Sequence, residues 1–244
     1  MRLCLCFIFY LLSIQSFAQD LNRTYNYDYL DGFSYQGTGH IEIKQGDKNT
    51  FTIKGTERQL NNTDIHFQQG ILSVKTKDPF LYMSVSDYIE GELIVKDLKK
   101  IFVTGSVSLD IDRLKGETLL IHINVPGAAL VEGNIDFDRL AVYLEGGGRT
   151  VLKGKVKEEM IYIKRSGAFE SQDLEAVNGN VLIEGVGTAY VHVKETLKVN
   201  ITGYGHVHYV GSPRTIEDRI HGEGKISPYH KDYQPLSPSE LKSE

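Results

Sequence analysis

The chain has 244 residues, with 27 Lys+Arg against 32 Asp+Glu and a formal net charge of −5. At 41% apolar and 24% charged, the composition supports a full core and excludes wholesale disorder, and its mild acidity argues against the basic face of a nucleic-acid binder. Gly is abundant at 24 residues, Trp is absent and Tyr reaches 14.

The N-terminus reads Met1-Arg2, then an apolar run from Leu3 to Ile14, then a small residue at Ala18. That order predicts a signal peptide over 1–18, cleaved before Gln19, because the run falls short of the roughly 20 residues that span a bilayer. Cys4 and Cys6 both lie inside it, so the exported chain would carry no disulfide and no thiolate chemistry. No later segment is apolar enough to cross a membrane as a helix. Residues 19–32 form a Tyr-rich lead-in, in which Tyr25, Tyr27 and Tyr29 alternate before Tyr35. Such rings either seal an open end of the fold or offer a surface for sugar. Strand patterns follow at 37–43, 51–55 and 71–75, with a loop at Asn61–Asp64. Residues 33–97 are expected to form the first coils of the fold or a sheet capping its end.

From there the chain repeats. Gly105, Gly127, Gly147, Gly167, Gly187 and Gly205 are spaced by 22, 20, 20, 20 and 18 residues. Four positions before them stand Ile101, Ile123, Tyr143, Ile163, Ile183 and Ile201; two after stand Val107, Ala129, Arg149, Phe169, Ala189 and Val207. These columns alternate with polar residues, which predicts strands whose even offsets face inward. A unit of this length cannot close its own core, so like units must stack. The expected fold is all-β: a parallel β-helix or β-solenoid of coils of about 20 residues, with an isoleucine ladder from Ile101 to Ile201. An antiparallel β-sandwich is the alternative, but it gives no reason for successive segments to share residues at equal offsets. One domain over 33–229 and a polar, Pro-bearing tail over 230–244 complete the plan.

Three groups of residues could carry chemistry. Asp110 and Asp112 recur as Asp136 and Asp138, a pattern that serves turn capping and ion pairing or, on a polysaccharide, acid–base work. His206 and His208 share one strand face, where His208 should stack over Tyr190 and Glu170, so that His206, His208 and Glu170 are metal candidates and Tyr190 a binding candidate. No nucleophile elbow, His-Glu-x-x-His helix, zinc-spaced cysteines or phosphate loop is found, so no cofactor and no catalytic set are expected.

Asp31-Gly32-Phe33 with Gly37-Thr38-Gly39-His40-Ile41-Glu42-Ile43 resembles the opening of the head GIN domain family, exported bacterial proteins named for an auto-transporter adhesin. The close is similar too, through Gly203, Gly205, Tyr209, Gly211 and Pro213, then Gly222 and Gly224. Gly147-Gly148-Arg149 and Ser166-Gly167-Ala168 depart from the Gly-x-Gly pairs of the closing coils. The resemblance implies a β-helical fold in a bacterial periplasm, outer surface or extracellular setting, and no reaction. The expected function is that of a non-enzymatic, adhesin-like protein whose lateral faces meet glycan or envelope protein. A polysaccharide lyase or hydrolase, and a structural protein that self-assembles through its coil ends, are the alternatives.

Overall fold

The protein is described by a computed structural model covering residues 20–77, 88–125 and 129–229; the expected signal peptide, Gly127 and the C-terminal tail lie outside the described residues. Alternating apolar residues give long strands that bend at glycines and continue. β7 (Lys100–Val125) runs through a full coil, and β8 (Leu130–Gly146), β9 (Arg149–Arg165), β10 (Ala168–Gly185) and β11 (Thr188–Gly203) each make most of one. They pair in parallel in chain order; β12 (His206–Val210) and β13 (Thr215–Gly222) make the next coil on β11, and β14 (Lys225–Pro228) starts another on β12. The result is a β-solenoid of about six turns. The antiparallel sandwich is excluded by this parallel pairing.

Inward columns hold the stack together. Val142 pairs with Ile121 and Ile161, and Leu144 with Ile123 and Ile163. Ile163, Ile183 and Ile201 then lie directly on one another and are fully buried. Each such side chain contributes roughly 1.5–3 kcal/mol by leaving water. The expected ladder therefore holds from Ile163 onward but slips earlier. Tyr143 faces outward beside Tyr162, and the buried neighbour of Ile123 is Leu144. Ile101 pairs with Phe33, and the bond from Leu120 N–H to Lys99 O sets it beside Ile121 rather than Ile123.

The cause of the slip lies at the corners. The coil-to-coil equivalents are Gly148, Gly167, Gly187, Gly205 and Gly224, linked by bonds such as Ala168 N–H to Gly148 O and Thr188 N–H to Gly167 O. Gly147 is not one of them. The Gly-x-Gly corner is thus present in the middle coils, as Gly146-x-Gly148; it is altered at Arg165-x-Gly167, and one coil before Gly146 the equivalent positions are Val125 and Ala129. Two residues earlier runs a second column, in which Gly185 pairs with Arg165 and Gly203, and Gly203 with Gly222. A Cβ on Gly185, whose φ is 125°, would stand 2.3 Å from the Arg165 carbonyl oxygen. Arg165 itself holds φ at 74°, a conformation that L-residues adopt at a cost of about 1 kcal/mol.

The N-terminal region is a coil and a cap together. β2 (Gly32–Gln45) lies against β7 on one side. On its other side it meets β5 (Ile71–Thr76) and β6 (Ile89–Val95) in parallel. β3 (Asn49–Gly55) adds antiparallel to β6, and β1 (Leu21–Tyr27), made of the Tyr-rich lead-in, adds antiparallel to β3. β4 (Thr63–Gln68), which follows the single-turn helix α1 (Glu57–Asn61), pairs antiparallel with β5. Phe33, Tyr35 and Phe51 fill the core beneath this cap.

The corner geometry predicts opposite outcomes at paired positions. Gly185→Ala should lower the urea midpoint by an amount worth about 1–3 kcal/mol, whereas Arg165→Gly should leave it unchanged or raise it by up to about 1 kcal/mol. Equilibrium unfolding followed by circular dichroism measures both.

Candidate binding face

Alternation along each strand sends every second side chain outward, and parallel register stacks those residues into rows. One row is aromatic. His122 pairs with Tyr143, and Tyr143 with Tyr162; Phe102 precedes them, its ring centroid 6.3 Å from that of His122. The next two centroid separations are 6.0 Å each, with interplanar angles of 65° and 80°. Rings so inclined meet edge to face, the arrangement that their quadrupoles favour. Leu182 and Asn200 continue the row.

Two flanking rows differ in character. On one side Leu120, Ala141 and Met160 stand in register, with Met160 41% exposed. On the other side stand Asn124, Glu145, Lys164 and Glu184. Polar residues of this second row fix the rings. His122 Nε2 lies 3.1 Å from Glu145 Oε1, and the Tyr162 hydroxyl donates to Glu184 Oε2 at 2.7 Å. That bond to a carboxylate, more than burial, pushes the Tyr162 phenol up to about 12. The face is an aromatic ribbon with one apolar and one hydrogen-bonding shoulder. Sequence reading missed it because anchoring on Gly147 turned Tyr143 inward; the aliphatic pair Val142 and Leu144, matching Ile121 and Ile123, carries the signal for the true register.

The residues singled out from sequence fall elsewhere. Tyr35 is a core residue, its hydroxyl donating to Thr38 O, and so cannot serve as an exposed platform. Tyr25 and Tyr27 pack partly against the core, Tyr27 beside Phe67, while Tyr29 is exposed and bonds Asp31. The aspartates occupy separate rows. Asp110 pairs with Glu42 and Glu132 and lies 3.5 Å from His40. Asp136 stands between Lys115 and Lys155, and Asp138 bonds Lys157 at 2.7 Å. Asp112 shares a cleft of about 650 Å³ with Lys96, Arg113 and Lys115.

His208 does stack on Tyr190, at 4.7 Å, with Tyr229 edge-on and His206 6.4 Å away. Its Nδ1 lies 3.0 Å from Ser227 Oγ, and burial, with His206 nearby, lowers its pKa. Glu170 is not available as a third ligand, because Arg149 holds both its oxygens at 2.7 Å, one coil beyond Tyr190. No group of three ligating side chains suited to a metal exists among the described residues. The closing motif is structural: Gly203, Gly211 and Gly222 turn with positive φ. Gly205 and Gly224 admit Ile183 and Ile201, which would lie 2.5 Å from any Cβ there. Tyr209 packs against the core, and Pro213 follows Gly211 into the turn before β13.

Among the described residues, one carboxyl group sits in the core. Glu159, 2% exposed, occupies a column whose other members include Leu140 and Gly179. A Cβ on Gly179 would meet Val193 Cγ2 at 2.7 Å but would lie at an ordinary contact distance of 3.8 Å from Glu159 Oε2. Ser171 Oγ favours the charged form but donates its proton to the Tyr190 carbonyl at 3.0 Å, and neither carboxyl oxygen has a hydrogen-bond partner. Burial prevails and raises Glu159 from the ordinary 4.5 to about 8. The folded chain thus keeps a proton that the unfolded chain releases above about pH 4.5. This group's contribution to stability is greatest below that pH and is lost as pH rises to about 8, a change of a few kcal/mol. Glu159→Gln should flatten this slope, and urea midpoints across that pH range test it.

The sequence matches the family described as "Putative auto-transporter adhesin, head GIN domain" over residues 30–213, which stops short of Gly222 and Gly224. No curated protein matches it. Among solved structures, a putative adhesin from Bacteroides fragilis NCTC 9343 is similar at 18% identity and a TM-score of 0.74, covering 86% of this chain and 97% of that one. A putative lipid binding protein from Parabacteroides distasonis ATCC 8503 is 21% identical with a TM-score of 0.66, covering 86% and 97%. A putative adhesin from Parabacteroides merdae ATCC 43184 is 19% identical with a TM-score of 0.63, covering 87% and 97%. At these identities the likeness is one of fold.

Proposed function

The chain belongs to the putative auto-transporter adhesin, head GIN domain family, and we propose that it is an exported, non-enzymatic binding protein of the bacterial envelope that takes glycan on its aromatic face. The ribbon of Phe102, His122, Tyr143 and Tyr162 carries this reading. Ring faces and edges offer apolar cover for the C–H surface of a sugar. Glu145, Glu184 and Asn124, one row away, offer acceptors to its hydroxyls. Successive rungs lie about 4.8 Å apart, so a polymer laid along the solenoid axis meets one aromatic side chain on each of four adjacent coils. The flanking row carries two carboxylates against one lysine, Lys164, a balance that favours a neutral glycan over an acidic one.

Export rests on the N-terminal segment with its apolar run and Ala18. The non-enzymatic reading is supported by the aspartates, which lie in separate rows, with Asp136 between Lys115 and Lys155 and Asp138 bonded to Lys157.

Binding to a glycan array, followed by calorimetry on the best ligand, tests the assignment. Tyr143→Ala and Tyr162→Ala should each weaken binding by up to about tenfold, with the fold intact by circular dichroism, while Asp110→Asn and Asp138→Asn leave it unchanged. Equal affinity in the Tyr143→Ala, Tyr162→Ala double variant overturns the placement on this face.

A further inference from the structure

The two ends of the solenoid are finished differently. At the N-terminal end, antiparallel β3 and β1 cover the first coil. At the other end, β13 pairs with β11 and with no other described strand, and all eight of its residues are exposed. Ile216 and Ile220 continue the columns of Leu197 and Ile201, which are fully buried, yet they are 38% and 37% exposed. Core columns therefore run out into solvent beside a row of unpaired main-chain groups, the kind of edge to which another strand adds.

The sequence of that edge is symmetric. Ile216-Glu217-Asp218-Arg219-Ile220 has an isoleucine two residues to either side of Asp218, and opposite charges one residue to either side. A two-fold axis normal to the sheet keeps the inward faces of both copies on one side only when it passes through a residue. Centred on Asp218, it sets Ile216 against the partner's Ile220 and Glu217 against the partner's Arg219, each twice. Centred on Glu217 or Arg219, it sets like charges on the axis and an isoleucine against Asp218. Arg219 makes no ion pair with the described residues, and Glu217 reaches Lys198 at 3.2 Å.

We propose that β13 is a self-complementary docking edge, through which two copies of this chain join end to end by antiparallel pairing about Asp218. Such an isologous contact closes on itself and does not propagate into a fibre. Apolar contact between the isoleucines and the crossed Glu217–Arg219 pairs specify the register. Asp218 is the discordant residue. It lies in the inward column of Val199, and two copies meet at the axis. Inward charge on an edge strand restrains promiscuous pairing, and here it limits the strength of the dimer. Residues 230–244, the other candidate cover for this edge, contain Pro235 and Pro238, which cannot donate to a ladder.

Sedimentation velocity on the purified protein over a concentration series tests the proposal. A monomer–dimer equilibrium is expected. Asp218→Asn should tighten it about tenfold, and Arg219→Glu, which sets Glu217 against a partner glutamate, should loosen it about tenfold. Glu217→Arg alone should loosen it similarly, yet the two single variants mixed should form a heterodimer, and the double charge swap should restore the homodimer. Misfolding cannot produce that pattern of rescue. A monomer at every concentration, a dimer indifferent to charge reversal, or a dimer seen only after residues 230–244 are removed would each overturn it.

Discussion

Main-chain register between successive coils is the constraint from which everything else follows. Once Ala168 is bonded to Gly148 and Thr188 to Gly167, the height and direction of every side chain on the coil are set. Inward positions become columns of aliphatic residues and outward positions become rows. The same ladder that buries Ile163, Ile183 and Ile201 puts Tyr143 and Tyr162 side by side on the surface. Core and binding face are two readings of one hydrogen-bond pattern.

Most of the architecture was legible in the sequence because stacking makes the chain nearly one-dimensional, so a period in sequence becomes a period in space. What failed was the phase at one point. Gly146, Gly147 and Gly148 stand in a row, and composition alone does not say which of three adjacent glycines is the corner. A shift of one residue exchanges inside for outside along the whole strand, which is why Tyr143 was placed in the core and the aromatic ribbon was lost. The topology of the first hundred residues was hidden for a different reason. β2 follows β1 in sequence but lies between β6 and β7 in space, and no local pattern encodes an insertion of that kind.

The candidate site shows the complementary limit. Residues chosen for their chemistry, the aspartate pairs and the histidines, have local partners: Asp138 bonds Lys157, and His208 contacts Tyr190 and Ser227. The residues that form a continuous surface come from four points of the chain about twenty residues apart and carry no motif. Glu159 is the reverse case, a polar residue in a column shared with Leu140 and Gly179, where burial favours its neutral form. Its presence trades stability at neutral pH for a carboxyl kept neutral within the core.

The placement of β2 also bears on how the molecule is made. β7, the first of the regularly ordered coils, finds its docking strand in β2, which lies some sixty residues earlier in the chain and is flanked on its far side by β5 and β6. The N-terminal unit thus offers a template that needs none of the later repeats. Each later coil adds to the one just completed, so assembly advances in a single direction, with contacts that span only about twenty residues. A chain organised in this way can gain or lose whole coils during evolution near its growing end, lengthening or shortening the presented rows, without disturbing the part that starts the process.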